Sequence, residues 1–323
     1  MSIRRRTLLA AIPAALAAPP ALAQAYPARP IRVVVPFAAG GLTDVVARIV
    51  MEPMAATLGR PMVIENQGGA GSTIGATTAG RAAPDGYTIM VGSVGHTVMD
   101  VLYPNFPFSP SRDFAPVALT TRQPFVVVAH PSVPATDVPS FLAWLRERRG
   151  EANFGTAGIG ASSHLAAELM RKLADVQFTV VPYRGTPQAV SDLTAGRVDF
   201  MIDSQTLLAP LMADNRVRGL AVTTAARSSM LPNLPTMAEG GIAGYDAAAW
   251  QAIYAPAGTP VEIRRILSEA ATRAMRDPGV MRRLADAGVD IMPDNSPEAA
   301  ARHLEIEVRK WSELVRALGI RGN

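Results

Sequence analysis

The sequence has no cysteine among its 323 residues. That excludes disulfides, thiolate metal sites and a cysteine nucleophile together. Lysine is nearly absent too: Lys172 and Lys310 are the only two among 31 basic residues, so Schiff-base and phosphate-loop lysines have almost no candidates. Aromatic residues make up 6 % and charged residues 18 %, against 49 % hydrophobic, and charge this dilute does not describe a disordered chain. Apart from a short apolar run near the N-terminus, no stretch approaches the roughly 18 uninterrupted apolar residues of a membrane-crossing helix. No sustained repeat accompanies the 26 glycines and 27 prolines, which sets aside collagen, coiled coils and solenoids. What is there is a length that suits two ordinary domains, each with a core of its own.

Catalytic motifs are missing as well. No Gly-Lys-Ser/Thr phosphate loop and no Gly-x-Ser-x-Gly nucleophile elbow occurs. Gly69-Ala70-Gly71-Ser72-Thr73-Ile74 places Ile where a dinucleotide fingerprint needs Gly. The four histidines, His96, His130, His164 and His303, lack any metal-ligand spacing. His303, beside Glu305 and Glu307, reads as part of a solvated helix face. His164 follows Ser162 and Ser163, but adjacent helical residues point in different directions, so a Ser–His dyad is not expected. The expectation is a protein that is no enzyme and holds no cofactor or metal.

A formal charge of +4 invites a nucleic-acid reading that the N-terminus weakens. Ser2-Ile3-Arg4-Arg5-Arg6 precedes Thr7-Leu8-Leu9 and an Ala/Leu/Pro run to Ala25. A basic start, an apolar middle and a small-residue end describe an export signal, cleaved after Ala23 or after Ala25. The Arg pair loosely resembles a twin-arginine signal without its usual Phe, so either export route fits. Without Arg4, Arg5 and Arg6 the 31 basic side chains become 28 against 27 acidic, or +1. The mature chain is then expected as an exported protein, a monomer with no nucleic-acid partner.

From residue 26 onward, short β-like runs alternate with amphipathic stretches. Ile31–Val35 is followed by apolar residues at 42, 45, 46, 49, 50, 54 and 58, a helical period closed by Gly59. Pro53 inside that helix predicts a kink or an early end. Strands are expected at Met62–Glu65, Tyr87–Val91, Phe125–Ala129, Asn153–Thr156, Phe178–Val181, Val198–Ile202, Val217–Thr223 and 249–255. Helices follow Gly71 and Ser93, then span Pro139–Arg148, Ser162–Leu173 and Pro187–Ala195, with another near Leu207. The tail from Val261 to Ile320 reads as three helices broken at Pro278 and Pro297. Such βα alternation implies α/β architecture with mainly parallel sheets flanked by helices. Two lobes are expected, 26–124 with 250–323 and 125–249, the Pro-rich stretch near 130–139 and the Gly-rich one near 240–244 offering natural crossings.

In such sheets ligands bind where strands lead into helix N-termini, whose free N–H groups and partial positive charge suit anions. Two loops have this form: Pro36 to Asp44, carrying Gly40-Gly41, and Thr156 to His164, carrying Gly158, Gly160, Ser162 and Ser163. Either serine also reads as a plain N-cap. Two such loops in different lobes would face each other across a cleft.

The order of these segments resembles the exported solute-binding proteins of tripartite tricarboxylate transporters, the Bug family, from Tyr26 to Ile320. The resemblance is carried by "PIRVVVPFAAGGLTD", "VIENQGGAGSTIG", "PDGYTIMVGS", "FPFSPSRDFAPV", "NFGTAGIGASSHLAAE" and "VPYRGTPQAVSDLTAGRVDFMID". It continues in "GLAVTTAARSSMLPNLPTMAEGG", "APAGTPVEI" and "KWSELVRALGI". It implies a two-lobed Venus-flytrap periplasmic binding protein (type II-like) that closes on a small carboxylate: a dicarboxylate, tricarboxylate, amino acid or aromatic acid. The partners it implies are the membrane subunits of such a transporter or, alternatively, a sensor kinase. The ligand-sensing half of a DNA-binding regulator would share the fold, but no recognition helix supports it. A periplasmic hydrolase would need a nucleophile and base in the cleft.

Carried onto this chain, Phe37, Ala38, Ala39, Gly40, Gly41 and Asp44 form one jaw. Thr156, Ala157, Gly158, Ser162, Ser163 and His164 form the other, with Ser93, Tyr183 and Asp203 as further contacts. Read from the residues alone, Asp203 gives no binding signal and reads equally as an N-cap of the following helix, Asp44 neutralises its own helix or anchors its loop, and Arg184 is a jaw cation or a structural ion pair. Two departures stand out. Met99-Asp100 replaces the family's usual Asn-Pro after "GSVGHTV", and Pro53 is uncommon in the first helix; the former is expected to shift specificity.

Overall fold

The computed structural model describes residues 26–322; the expected export signal lies outside them. Ile31–Val35 (β1), a β-branched run buried on both faces, pairs in parallel with Met62–Asn66 (β2) and Thr88–Ser93 (β3). Parallel neighbours need crossover connections, here Leu42–Leu58 (α1) and Thr73–Gly80 (α2). A 3₁₀ turn at Val94–Val98 and the short helix Met99–Leu102 (α3) lead into the long strand Phe114–Ala129 (β4). Val138–Arg148 (α4) is followed by Asn153–Thr156 (β5), Ser162–Ala174 (α5), Thr179–Pro182 (β6), Thr186–Thr194 (α6) and Phe200–Ser204 (β7). β5 pairs in parallel with both β6 and β7. Gln205–Ala213 (α7) and Arg218–Val222 (β8) precede the return strand Ala248–Pro256 (β9). The tail is Val261–Met275 (α8), Pro278–Asp286 (α9), Asp290–Ile291 (β10) and Pro297–Leu318 (α10).

The strands run in the order β2-β1-β3-β9-β4-β7-β5-β6, with β8 and β10 also on β4. β4 joins the two portions of this sheet. Its residues Phe114–Pro124 pair antiparallel with β9, and Phe125–Ala129 pair antiparallel with β7 and β8. The change of partner comes at Pro124, which has no N–H to continue a ladder. The Phe125 N–H donates instead to Thr223 Oγ1 at 2.9 Å. One passage between the portions is therefore strand β4 itself and not the loop near 130–139, while the return reaches β9 at Ala248 just past the Gly-rich stretch near 240–244. The sheet is mixed, parallel in its outer strands and antiparallel where β4 and β9 run between them.

Helices cover both faces. The α1 stripe Val46, Ile49, Val50 and Met54 packs with Leu267 and Ala271 of α8 on Ile31 and Val33. Ala189 of α6 and Leu208 of α7 pack on Val126, Val128 and Met201. A third cluster runs from Phe141, Phe154 and Phe200 to Trp250 and Trp311. Each large side chain so buried contributes about 1.5–3 kcal/mol.

Three local readings change. α1 continues through Pro53 to Leu58, where buried Met51 and Met54 pin both sides of the proline to the core. Residues 114–124, where no strand is expected from the sequence, are strand, with register shifts accommodating the stretch around Pro116. The face carrying His303 and Glu307 is not solvated. Glu307 is buried and accepts from the indole N–H of Trp250 and of Trp311, each at 2.7 Å, while His303 stacks edge-on against Trp250.

Candidate functional site

The first jaw is built by β1, its glycine turn and α1. Gly40 takes a left-handed φ of +79°, and its N–H donates to Asp44 Oδ2 at 2.8 Å. Asp44 is buried and also accepts from Arg48 Nε at 3.0 Å and Asn66 Nδ2 at 2.9 Å. Burial pushes this carboxyl up, but the Arg48 guanidinium, the Gly40 N–H and the Asn66 amide outweigh it and hold it below the usual carboxylate range. Asp44 thus anchors its own loop, one of the roles open to it from sequence. The N-cap of α1 is Gly41, so no side chain caps the helix.

The second jaw repeats this construction. Gly160 has a φ of +82°, and its N–H donates to His164 Nδ1 at 3.1 Å. His164 Nε2 lies 3.4 Å from the buried Glu168, which Arg171 approaches at 3.4 Å. The N-cap of α5 is Ala161, and no side chain caps this helix either. Ser162 and Ser163 are therefore its first two helical residues, not its caps. Ser163 Oγ is 3.0 Å from Thr156 Oγ1.

A third helix start, absent from the two-jaw reading, joins them. α6 begins after Gly185, again without a side-chain cap, with proline in its first turn. Helices such as α4, α9 and α10 by contrast are capped by Asp137, Asp277 and Ser296. Three uncapped N-termini, each worth roughly half a positive charge, thus surround one small cavity of about 50 Å³.

Of the residues expected at a site, Phe37, Ala38, Gly41, Ser93, Ala157, Ser162, Ser163 and Asp203 line this cavity. Ala39 and Gly40 sit at the exposed outer turn, and Asp44 and His164 brace the loops from behind. Thr156 reaches the cavity only through Ser163. Gly158, Tyr183 and Arg184 line an adjoining space instead, and Tyr183 donates to Asp192 at 2.6 Å. Met99 and Asp100 open α3 and line neither space.

Sequence reasoning missed Thr43, Thr186 and Gln251, all at the cavity wall. Gly185-Thr186-Pro187 carried a usable signal, a glycine before a first-turn proline; Gln251, inside a strand, carried none. Asp203 is the sole charged side chain in the lining. Burial lifts its carboxyl to about 6, against the opposing hydrogen bonds from the Ser204 N–H at 2.7 Å and Thr186 Oγ1 at 3.1 Å. The cavity can therefore hold an anion by backbone dipoles and hydroxyls without any cationic side chain. Among the described residues no cluster of metal-ligating side chains occurs.

Residues 46–320 match the profile of the tripartite tricarboxylate transporter family receptor, TctC. The chain belongs to the TctC family. Its fold matches that of the periplasmic binding protein BugD at a TM-score of 0.86, with 35 % identity over 92 % of this chain and 100 % of BugD. MatC from Rhodopseudomonas palustris, solved with bound malate, matches at 0.85 with 36 % identity, covering 90 % of this chain and 100 % of MatC. Rpa4515 of R. palustris, solved with adipate, matches at 0.85 with 33 % identity, covering 92 % and 99 %. The TctC family is one of transporter receptors and BugD is a periplasmic binding protein, so this chain is a substrate-binding protein, not an enzyme. No helix among the described residues is long and apolar enough to cross a membrane.

Proposed function

We propose that this TctC protein captures a small carboxylate in the cavity between its two lobes and presents the closed, liganded form to the membrane subunits of a tripartite tricarboxylate transporter. The observation that carries this reading is the convergence of three uncapped helix N-termini on a cavity lined by no Lys, Arg or His. A carboxylate satisfies such N–H groups and their partial charge together. The malate and adipate held by MatC and Rpa4515 support the same ligand class. The moving bodies are 26–124 with 250–323 and 125–249, hinged where β4 leaves β9 at Pro124 and where the chain enters β9 at Ala248. Ligand shifts this hinge only by its differential affinity for the closed form. Export precedes capture, with cleavage after Ala23 or Ala25.

A thermal-shift screen of unfolded, stripped and refolded protein against small carboxylates and their amides tests the proposal. A ligand at about 100 times its Kd adds roughly 2.7 kcal/mol, worth several degrees in a chain of this size. Carboxylates should shift the midpoint where the matching simple amides do not. Equal shifts by both would refute the anion clamp.

A further inference from the structure

The carboxylate clamp occupies the end of the cavity where the helices begin. The wall formed by β3 and β9 carries two buried polar groups with no partner. Ser93 Oγ and Gln251 Nε2 make no hydrogen bond, in residues 2 % and 1 % exposed, and both residues line the cavity. They stand directly opposite each other in the antiparallel β3–β9 ladder, which brings opposed Cβ atoms to about 4.5–5.5 Å. The Gln251 amide is held in one orientation, because its Oε1 accepts from Thr121 Oγ1 at 2.6 Å. That leaves its NH₂ as the free end. Buried donors without acceptors are uncommon and destabilising. Two of them side by side on a cavity wall mark a place where a ligand supplies the acceptor.

Resting on the carboxylate reading above, we propose that Gln251, paired with Ser93, is the specificity-determining residue of this site. The pair takes an sp² oxygen at the far end of the ligand. The preferred ligand is then a carboxylate carrying a second acceptor oxygen, as a carboxylate or as an amide or keto carbonyl, and not an alkyl acid. Asp203 takes its own donors from Thr186 and Ser204 and does not compete for the pair. A hydrocarbon end would bury both donors unpaired, and a site built for a hydrogen bond rejects a ligand lacking it far more strongly than an apolar pocket rejects a missing methylene.

Calorimetry with two trios of acids tests this: butyrate, succinate and succinamate, then hexanoate, adipate and adipamate. At one chain length or both, an acceptor-bearing acid should bind at least about tenfold tighter than the alkyl acid. Gln251→Met keeps the length of the side chain without its donor, and should abolish that preference, weakening the acceptor-bearing acids and relieving the penalty on the alkyl acids. Gln251→Glu should weaken the diacids more than the amide acids, which separates a charged from a neutral far oxygen. Ser93→Ala should reduce the same preference and serves if the Met variant folds poorly. Alkyl acids binding as tightly as the others, or equal losses for both classes in Gln251→Met, would overturn the assignment and leave the carboxylate clamp standing. Binding of none of the six would overturn the clamp and this assignment together.

Discussion

Gly95→Ala adds one methyl group where the two halves of the cleft meet. Gly95 lies in the turn Val94–Val98 and does not line the cavity. A Cβ placed on it would stand 2.8 Å from the Gly160 carbonyl oxygen, with Gly160 C and Ala161 Cα next at 3.6 and 3.8 Å. All three atoms belong to residues 125–249, the second of the two proposed lobes. The methyl would be about 0.6 Å too close to the oxygen for ordinary van der Waals contact, and Gly160 cannot simply withdraw, because His164 holds its N–H. Overpacking of this kind costs about 1–3 kcal/mol.

Under the proposed two-lobe closure that cost falls on the closed form alone, so it should appear as lost affinity and not as lost stability. Kd should rise about 5- to 150-fold, while the unliganded melting midpoint stays within what about 0.5 kcal/mol would move. Calorimetry gives the first quantity, thermal denaturation the second, and small-angle scattering at saturating ligand reports whether closure is complete. A Kd within twofold of the parent would refute the reasoning. So would a fall in unliganded stability as large as the loss in binding.

Burial lifts Asp203 to about 6 from an ordinary 3.8. A folded value above the unfolded one means a penalty absent below about pH 4, growing as pH rises and complete above about pH 6. Asp203→Asn should relieve it, raising unliganded stability near pH 7.5 by at most about 3 kcal/mol and leaving stability near pH 4 unchanged; equal gains at both pH values would show that the charge is not the cause. Ser162→Ala, at the cavity wall, should weaken carboxylate binding by about 1–2 kcal/mol, and Thr156→Ala by less, since its hydroxyl meets Ser163 and not the cavity; calorimetry ranks the two. Glu307→Ala strands two buried indole donors and should cost about 3 kcal/mol, read as a lower melting midpoint with altered tryptophan fluorescence.

How much of this could be read from sequence depended on how local the cause was. α1 and α5 announced themselves by apolar period and glycine turns, and so did the loops that open them. Residues 114–124 did not, because Pro116 and Pro124 interrupt any simple strand pattern. One stands beside a register shift and the other where the strand changes partner, and neither arrangement is encoded nearby. Glu307 looked like a solvated residue beside Glu305 because its partner Trp250 lies 57 positions away. Gln251 carries no local signature at all; its role comes from Thr121 and Ser93, brought beside it by two different ladders.

Behind the jaws, the braces leave one charged side chain facing the ligand. Asp44 and His164 occupy the third position of their helices, and each takes the N–H of a left-handed glycine four residues back. An ionised Asp44 behind an anion clamp would oppose the ligand, but Arg48 neutralises it at 3.0 Å. Asp203 is the one charged side chain in the lining, and its carboxylate stands in the same cavity as an anionic ligand. Protonating it removes a repulsion. Carboxylate affinity should therefore hold steady from about pH 9 to 7, then tighten as pH falls through about 6, the value at which Asp203 takes its proton. The gain should reverse near pH 4, where the ligand's own carboxyl loses its charge. Calorimetry across that range reads the profile, and Asp203→Asn should flatten it above pH 5. Affinity that weakens between pH 7 and 5.5, or tightens equally in the Asn variant, would place the ligand's charge elsewhere.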